Sequence, residues 1–391
     1  MATYSHAHIC QCLGRLATAR RALYRYHQWR PPQNRNAIRP RSYGPRPPPS
    51  SPRCQARPRR LHFCSQQSLE EAKSAMEVAQ PVLLVTDSSR GFWHSKFQID
   101  SVPSLRWHVL MDTPVRGNDK GTVFATELLN EPTGTSVTLD YRWAPEGAAV
   151  ICFTSGTTGR PKGATISHSA IVVQSLAKIA IVRYDEDDVY LHTAPLCHIG
   201  GISSAMAMLM AGGCHVMLPK FDTNLAIEAI REHNVTSLIT VPTMMADLIT
   251  FNRMKKTSET FESVKKILNG GGGLSAELIR EATKIFPRAT LLSAYGMTEA
   301  CSSLTFMTLY DPAKDSRFQQ PHDVKKSNLS REGGVCVGKP APHIELRVSA
   351  EESLSAGRIL MRVPMQCSIT GVKVRPSIWI AYMKSGLTLE I

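Results

Sequence analysis

At 391 residues the chain has room for two or three domains of roughly 150 residues each, and 42% hydrophobic against 20% charged residues suffices for a sizeable core. The formal net charge of +14 sits at one end. Thirteen Arg lie in residues 1–69, which hold no Lys, Asp or Glu, so the other 33 basic residues meet all 32 acidic ones. That balance excludes a body built as a nucleic-acid binder. The lack of any run approaching 18 apolar residues argues against a membrane-spanning helix, and ten Cys in so long a chain suit thiols in a reducing or stromal-type compartment better than disulfide staples.

The arm comes first. Its opening 30 residues alternate Arg with apolar residues, as in Leu13, Arg15, Leu16, Arg20 and Leu23, and residues 31–60 are rich in Pro and Arg. So little apolar surface cannot offset the entropy of ordering, which predicts disorder over residues 1–69. An acid-free, Arg-rich start suits an organelle transit peptide; an exon read in error and an RNA- or DNA-binding arm are the alternatives. His6, His8, Cys10 and Cys12 lack a second ligand pair at zinc-site spacing.

From about residue 70 the texture is globular. Residues 70–78 predict a helix, 81–86 and 105–111 predict strands, and 112–143 a loop-rich connection. Strands are expected at 148–152, 189–193, 214–218, 235–241 and 289–294, with helices at 225–233 and 275–286. Ser167 is placed to cap a further helix with Ile171, Val172, Ser175, Leu176 and Ile179 on one face. Strands alternating with helices predict an α/β sheet covered on both faces.

The segment richest in chemistry runs from Phe153 through Thr154, Ser155, Gly156, Thr157, Thr158, Gly159, Arg160, Pro161 and Lys162 to Gly163. Glycines let a backbone approach an anion closely, hydroxyls donate to phosphate oxygens, and Lys162 supplies charge. The spacing is not that of a Walker A loop, and a linker would not separate an apolar strand from a patterned helix. Three further stretches follow predicted apolar runs. Pro195-Leu196-Cys197-His198 is placed to line a substrate cavity, with a structural role for His198 equally open. Asn269-Gly270-Gly271-Gly272-Gly273 bares backbone against which a flat ring can lie, although four glycines also make a plain turn. Tyr295-Gly296-Met297-Thr298-Glu299 sets an aromatic face, a hydroxyl and a carboxylate at a strand end, where ligands of open α/β sheets gather.

In order and spacing these four stretches resemble the adenylate-forming acyl-CoA synthetase family over about residues 70–365. Residues 83–87, 103–110 and 191–201 are similar to the o-succinylbenzoate–CoA ligase branch of the plant phylloquinone pathway. The resemblance implies the α/β large domain of adenylate-forming enzymes, with stacked sheets flanked by helices plus a distorted β-barrel. It implies a two-step reaction in which a carboxylate attacks the α-phosphate of ATP and coenzyme A then takes the acyl group. By the same resemblance Thr154, Ser155, Gly156, Thr157, Thr158, Gly159 and Lys162 hold the β- and γ-phosphates. Gly271, Gly272 and Gly273 flank the adenine and acyl sites, Tyr295 stacks on adenine, Thr298 contacts the α-phosphate, Glu299 helps bind Mg²⁺, and His198 borders the acyl pocket. Catalytic roles fall on Thr298, Glu299 and Lys162, and the location implied is the plastid.

Both ends depart from the family pattern. The arm replaces further α/β sequence, and residues 365–391 show neither the family's Thr-Gly-Asp box nor its late catalytic Lys. The expected organisation is an arm over 1–69, an incomplete AMP-binding domain over 70–364 and a divergent tail over 365–391, with the small C-terminal lid domain missing. A catalytically silent nucleotide-binding fragment, and a synthetase for another acid such as 4-coumarate or a fatty acid, stay open at this point.

Overall fold

The protein is described by a computed structural model over residues 60–62, 69–81, 83–86, 102–105, 107–110, 122–124, 147–154, 162–254, 259–314, 335–349, 358–362, 367–369, 380–382 and 387–388. These residues fall in two compact units, one within residues 27–137 and one within residues 138–391.

The first unit is a four-stranded parallel sheet in chain order: β1 (Arg60–His62), β2 (Leu83–Thr86), β3 (Trp107–Leu110) and β4 (Thr122–Phe124). Between β1 and β2, helix α1 (Leu69–Ala79) buries Ala72, Ala75, Met76 and Ala79, an i, i+3, i+4, i+7 stripe. The predicted helix and both predicted strands are present. Arg60–His62 corrects the boundary of the arm: this piece of the segment expected to be disordered pairs with Leu83–Val85. Its backbone partners lie over 20 residues away, out of reach of a composition argument.

The second unit opens with an antiparallel hairpin, β5 (Ala148–Thr154) and β6 (Lys162–Ser167). Helix α2 (His168–Lys178) starts at once, capped by Ser167, whose Oγ accepts from the Ala170 N–H at 3.1 Å. The cap is as predicted, and Ile171 and Ser175 of the expected inward face are buried, but Leu176 is not. Leu176 is exposed, while Gln174, Ser175 and Lys178 are buried beside Ile171. A π-turn, Ile179–Arg183, ends the helix.

Next come β7 (Val189–His192), α3 (Ile199–Ala211), β8 (Cys214–Met217), α4 (Thr223–His233), β9 (Ser237–Thr240), α5 (Pro242–Met254), β10 (Lys266–Asn269), α6 (Ala276–Ile285), β11 (Thr290–Met297), β12 (Ser302–Tyr310), β13 (Val335–Cys336) and β14 (Lys339–Pro340). One seven-stranded sheet has the order β14-β12-β11-β10-β9-β7-β8. Strands β7 to β11 are parallel, and β12 and β14 add antiparallel at one edge. Side chains alternate between faces. Tyr190, Ile239, Leu268 and Leu292 pack with α2, α3 and the β5–β6 hairpin; Leu191, Leu238, Ile267 and Leu291 pack with α4, α5 and α6. A sheet buried on both faces follows, as predicted.

Residues 345–391 contribute β15 (Glu345–Ser349), β16 (Arg358–Arg362), β17 (Cys367–Ile369), β18 (Ile380–Tyr382) and β19 (Leu387–Thr388). Here β17 extends the β5–β6 hairpin, β15, β16 and β18 form a separate sheet, and β19 pairs with β13. The tail set apart as divergent is thus paired to the body through backbone hydrogen bonds, which any sequence can make. Among the described residues no helix is long and apolar enough to cross a membrane.

Candidate active site

The adjacent strands β7 and β9 send their helices to opposite faces, α3 to one and α5 to the other. The loops leaving their carboxyl ends therefore diverge and open a crevice, the position where open α/β sheets bind ligands. Three of the four motifs leave the sheet along this same edge.

From β7 the chain runs through Thr193 to His198, which holds the N-cap position of α3 and is exposed. The His198 N–H donates to the Pro195 carbonyl at 3.1 Å, and the Thr193 hydroxyl donates to the Ile239 carbonyl, tying this loop to β9. Gly201 lies so close under the loop that a Cβ there would sit 2.9 Å from the Pro195 carbonyl carbon.

From β10 the glycine turn leaves behind Asn269, a fully buried side chain whose Nδ2 donates to the Gly272 carbonyl at 2.7 Å. The Gly270 N–H donates to the Thr240 carbonyl at 2.9 Å, holding the turn against the end of β9. Gly271 adopts φ +72°, a left-handed conformation that glycine takes without strain. Gly271, Gly272 and Gly273 are all exposed, so this backbone is open to a ligand.

From β11 come Tyr295 and the turn. The Asn269–Ser293 register puts Tyr295 beside the glycine turn. Burial raises the Tyr295 phenol above its ordinary pKa, which keeps the ring neutral and suited to stacking. A bulge between Tyr295 and Gly296 re-aims the strand. Thr298 and Glu299 then occupy a short 3-10 turn, closed by a Cys301 N–H to Thr298 carbonyl bond of 3.1 Å. Both side chains are half-buried at the edge.

The fourth motif arrives from the hairpin. Thr154 and Lys162 are paired across β5 and β6, and the Thr154 hydroxyl donates to the Lys162 carbonyl at 3.4 Å. The segment from Ser155 through Gly156, Thr157, Thr158 and Gly159 joins these strand ends and lies outside the described residues. The sequence placed this loop between a strand and a helix. Instead a second strand, β6, intervenes before the helix begins at His168. Lys162 is exposed, and β6 runs within 8 Å of the Thr298–Ala300 turn between Cα atoms, which brings hairpin and sheet edge together.

The roles of two residues escaped the sequence reading, which took Thr193 as a strand end and Asn269 as the start of the glycine run. Thr193 and Asn269 act by holding loops, and their only signal was a polar residue ending an apolar run. For Mg²⁺, Glu299 offers a hard oxygen donor; among the described residues no group of three or more His, Cys, Asp or Glu gathers as a metal site. A single carboxylate still fits this ion, which keeps waters and shares substrate phosphates.

Residues 64–366 match the family described as AMP-binding enzyme. The chain is 55% identical over 300 residues to the chloroplastic/peroxisomal 2-succinylbenzoate–CoA ligase of Arabidopsis thaliana, covering 76% of this chain and 53% of that protein. It is 30% identical to the indoleacetate–CoA ligase of Aromatoleum aromaticum over 66% of this chain and 46% of that one. Among solved structures, O-succinylbenzoate coenzyme A synthetase from Bacillus subtilis in complex with ATP and magnesium ion superposes with a TM-score of 0.57 at 23% identity, over 79% of this chain and 56% of that one. The chain spans about half the length of the curated relatives it matches.

Proposed function

This chain belongs to the AMP-binding enzyme family, and from that premise we propose that it is the nucleotide- and acid-binding body of an ATP-dependent carboxylate–CoA ligase acting on 2-succinylbenzoate. The observation that carries the reading is the convergence of His198, Gly271–Gly273, Tyr295, Thr298 and Glu299 on one sheet edge, with the Thr154–Lys162 hairpin beside it. The acid is taken from the 55% identity to a 2-succinylbenzoate–CoA ligase.

In the reaction a substrate carboxylate oxygen bonds to the α-phosphorus of ATP and pyrophosphate leaves, giving an acyl-adenylate. The coenzyme A thiol then bonds to the acyl carbon and AMP leaves. Anion attacks polyanion in the first step, so cations and fixed donors govern the barrier. Lys162 and the hydroxyls of Thr154, Ser155, Thr157 and Thr158 bind the outgoing pyrophosphate, with Gly156 and Gly159 allowing close backbone approach. The exposed backbone of Gly271–Gly273 and the neutral face of Tyr295 receive adenine. Thr298 donates to the α-phosphate, and His198 borders the acid. When bound at Glu299, Mg²⁺ supplies charge neutralisation at the phosphates.

The test is pyrophosphate release from ATP and Mg²⁺ with 2-succinylbenzoate, coupled to hydroxylamine trapping of the adenylate. Release with this acid above 4-coumarate and a fatty acid supports the assignment. Nucleotide binding without release under any acid would leave a silent nucleotide-binding fragment in its place. The part of the arm that precedes β1 is assigned plastid targeting on its acid-free composition and on the chloroplastic/peroxisomal name of the Arabidopsis relative.

A further inference from the structure

Behind the site lies a polar cluster that the reaction does not use. Lys178, in the last turn of α2, is 1% exposed, and its ammonium donates to Ser203 Oγ at 2.6 Å, Ser204 Oγ at 2.9 Å and Ser302 Oγ at 3.4 Å. Three N–H groups meet three hydroxyls, so no donor remains for a ligand. One turn earlier on the same face, Gln174 is 0% exposed and spans the backbone of Ser303. With its amide oriented to satisfy both groups, its Nε2 donates to the Ser303 carbonyl at 3.1 Å and its Oε1 accepts from the Ser303 N–H at 3.3 Å.

The partners identify what is held. Ser203 and Ser204 stand in the first two turns of α3, whose N-cap is His198. Ser302 and Ser303 begin β12, directly after the turn bearing Thr298 and Glu299, and they pair across the bulge with Met297 and Gly296. This junction needs an external hold. Cys301 and Ser302 take φ of 57° and 101° in succession, a conformation that side-chain-bearing residues rarely adopt. Meanwhile, among the described residues, β14 pairs with Thr305 and Phe306 and not with Ser302 or Ser303.

An ammonium is an expensive way to fill this space. Burial pushes Lys178 down to about 7, and the Cys301 thiol acts in the opposite direction. A methionine would occupy the volume without that penalty. We propose that Lys178 and Gln174 form a positioning clamp that fixes the Thr298–Glu299 turn relative to the His198 end of α3. Neither residue touches substrate; they act through the backbone they hold. The proposal rests on the ligase reading for its catalytic consequence, but not for its structural one.

Hydrogen exchange by mass spectrometry on the full chain, alongside pyrophosphate release, tests the clamp. In Lys178→Met, loss of the hydrogen bonds from the Lys178 amine is expected to raise exchange across residues 296–303 by about tenfold or more, with β7 to β10 nearly unchanged. Turnover should fall by about 10²-fold through misplacement of the turn, with the KM for ATP little altered. Should Lys178→Met lose its cooperative unfolding transition, Ser302→Ala, which removes one acceptor, carries the same test with a smaller rise. Unchanged exchange at 296–303 in both variants overturns the clamp, and so does raised exchange with full turnover. If the unaltered chain releases no pyrophosphate, the ligase reading falls and exchange alone decides the clamp.

Discussion

Gly296 is the position where a single methyl group should do the most damage. A Cβ built there would fall on the Ser302 carbonyl oxygen, 2.5 Å from its carbon and 2.8 Å from the Ser303 Cα. All three atoms are backbone, so no rotamer change relieves the clash. Strand β12 must move away from β11, at the bulge from which Thr298 and Glu299 project. Overpacking of this kind typically destabilises by about 1–3 kcal/mol. Strained pairing at Gly296–Ser303 and Met297–Ser302 adds about 0.5–1.5 kcal/mol for each hydrogen bond weakened. A total of about 2–6 kcal/mol is expected for Gly296→Ala, seen as a lower urea midpoint at unchanged slope. The control is Gly270→Ala in the neighbouring turn, where the nearest atom to the new Cβ is the Ala294 carbonyl oxygen at 3.9 Å. That variant should stay within about 0.5 kcal/mol of the parent. ATP binding should weaken with Gly296→Ala as the turn shifts. Equal midpoints for the two variants would refute the argument that β12 backbone excludes a side chain at 296.

The other predictions concern charge and pH. Lys162→Ala should weaken ATP binding by about tenfold or more while adenosine binding stays within about twofold, because only phosphate meets the lost charge; equal weakening by calorimetry would contradict a phosphate role. Native Lys178, near 7, is largely neutral above that pH, whereas its unfolded counterpart near 10.5 stays protonated, so the unfolded state binds more protons. Stability should therefore rise from pH 7 toward 9 with a slope of at most about 1.4 kcal/mol per unit, and flatten in Lys178→Met. Above 9 the buried Cys152 thiol, raised to about 11, acts with the opposite sign and levels the curve. His192 is held near 3 by burial and by His215, its ring nitrogen 2.8 Å away. Unfolded histidine binds a proton near 6.5, so stability should fall from pH 6.5 to 5, before most carboxylates titrate, and His192→Gln should lessen that fall in urea melts. A reporter fused to residues 1–69 should enter plastids; diffuse cytosolic fluorescence would remove the targeting assignment.

Much of the architecture was legible because its signals are local. Ser167 and Ser275 cap helices through their own hydroxyls, and the strand expected at 289–294 is the first part of β11. Missing were elements whose residues carry no periodic contrast. Helix α3 opens with Ile199, Gly200 and Gly201 and continues in Ser, Ala and Met, with scarcely a polar stripe to mark an outer face. Strand β6 begins with the charged Lys162 and a glycine, so it reads as an extension of the loop. On α2, Ile171 and Ser175 are buried as expected, but Leu176 is outside and Lys178 inside, against hydropathy, because the serines of α3 and β12 face the Lys178 amine.

The sequence by itself determined the chemistry available: hydroxyls and glycines about Lys162, bare backbone at 270–273, and an aromatic, hydroxyl and carboxylate run ending at Glu299. Such groups act through atoms within a few residues of one another, so their character survives without knowledge of the fold. Only the tertiary structure decided that they meet. Parallel register sets Asn269 beside Ser293, opposite crossovers from β7 and β9 open the crevice, and a second strand after Lys162 carries the hairpin to the Thr298 turn. Those relations depend on strand order and on which face is buried, and both are settled by packing between residues far apart in the chain.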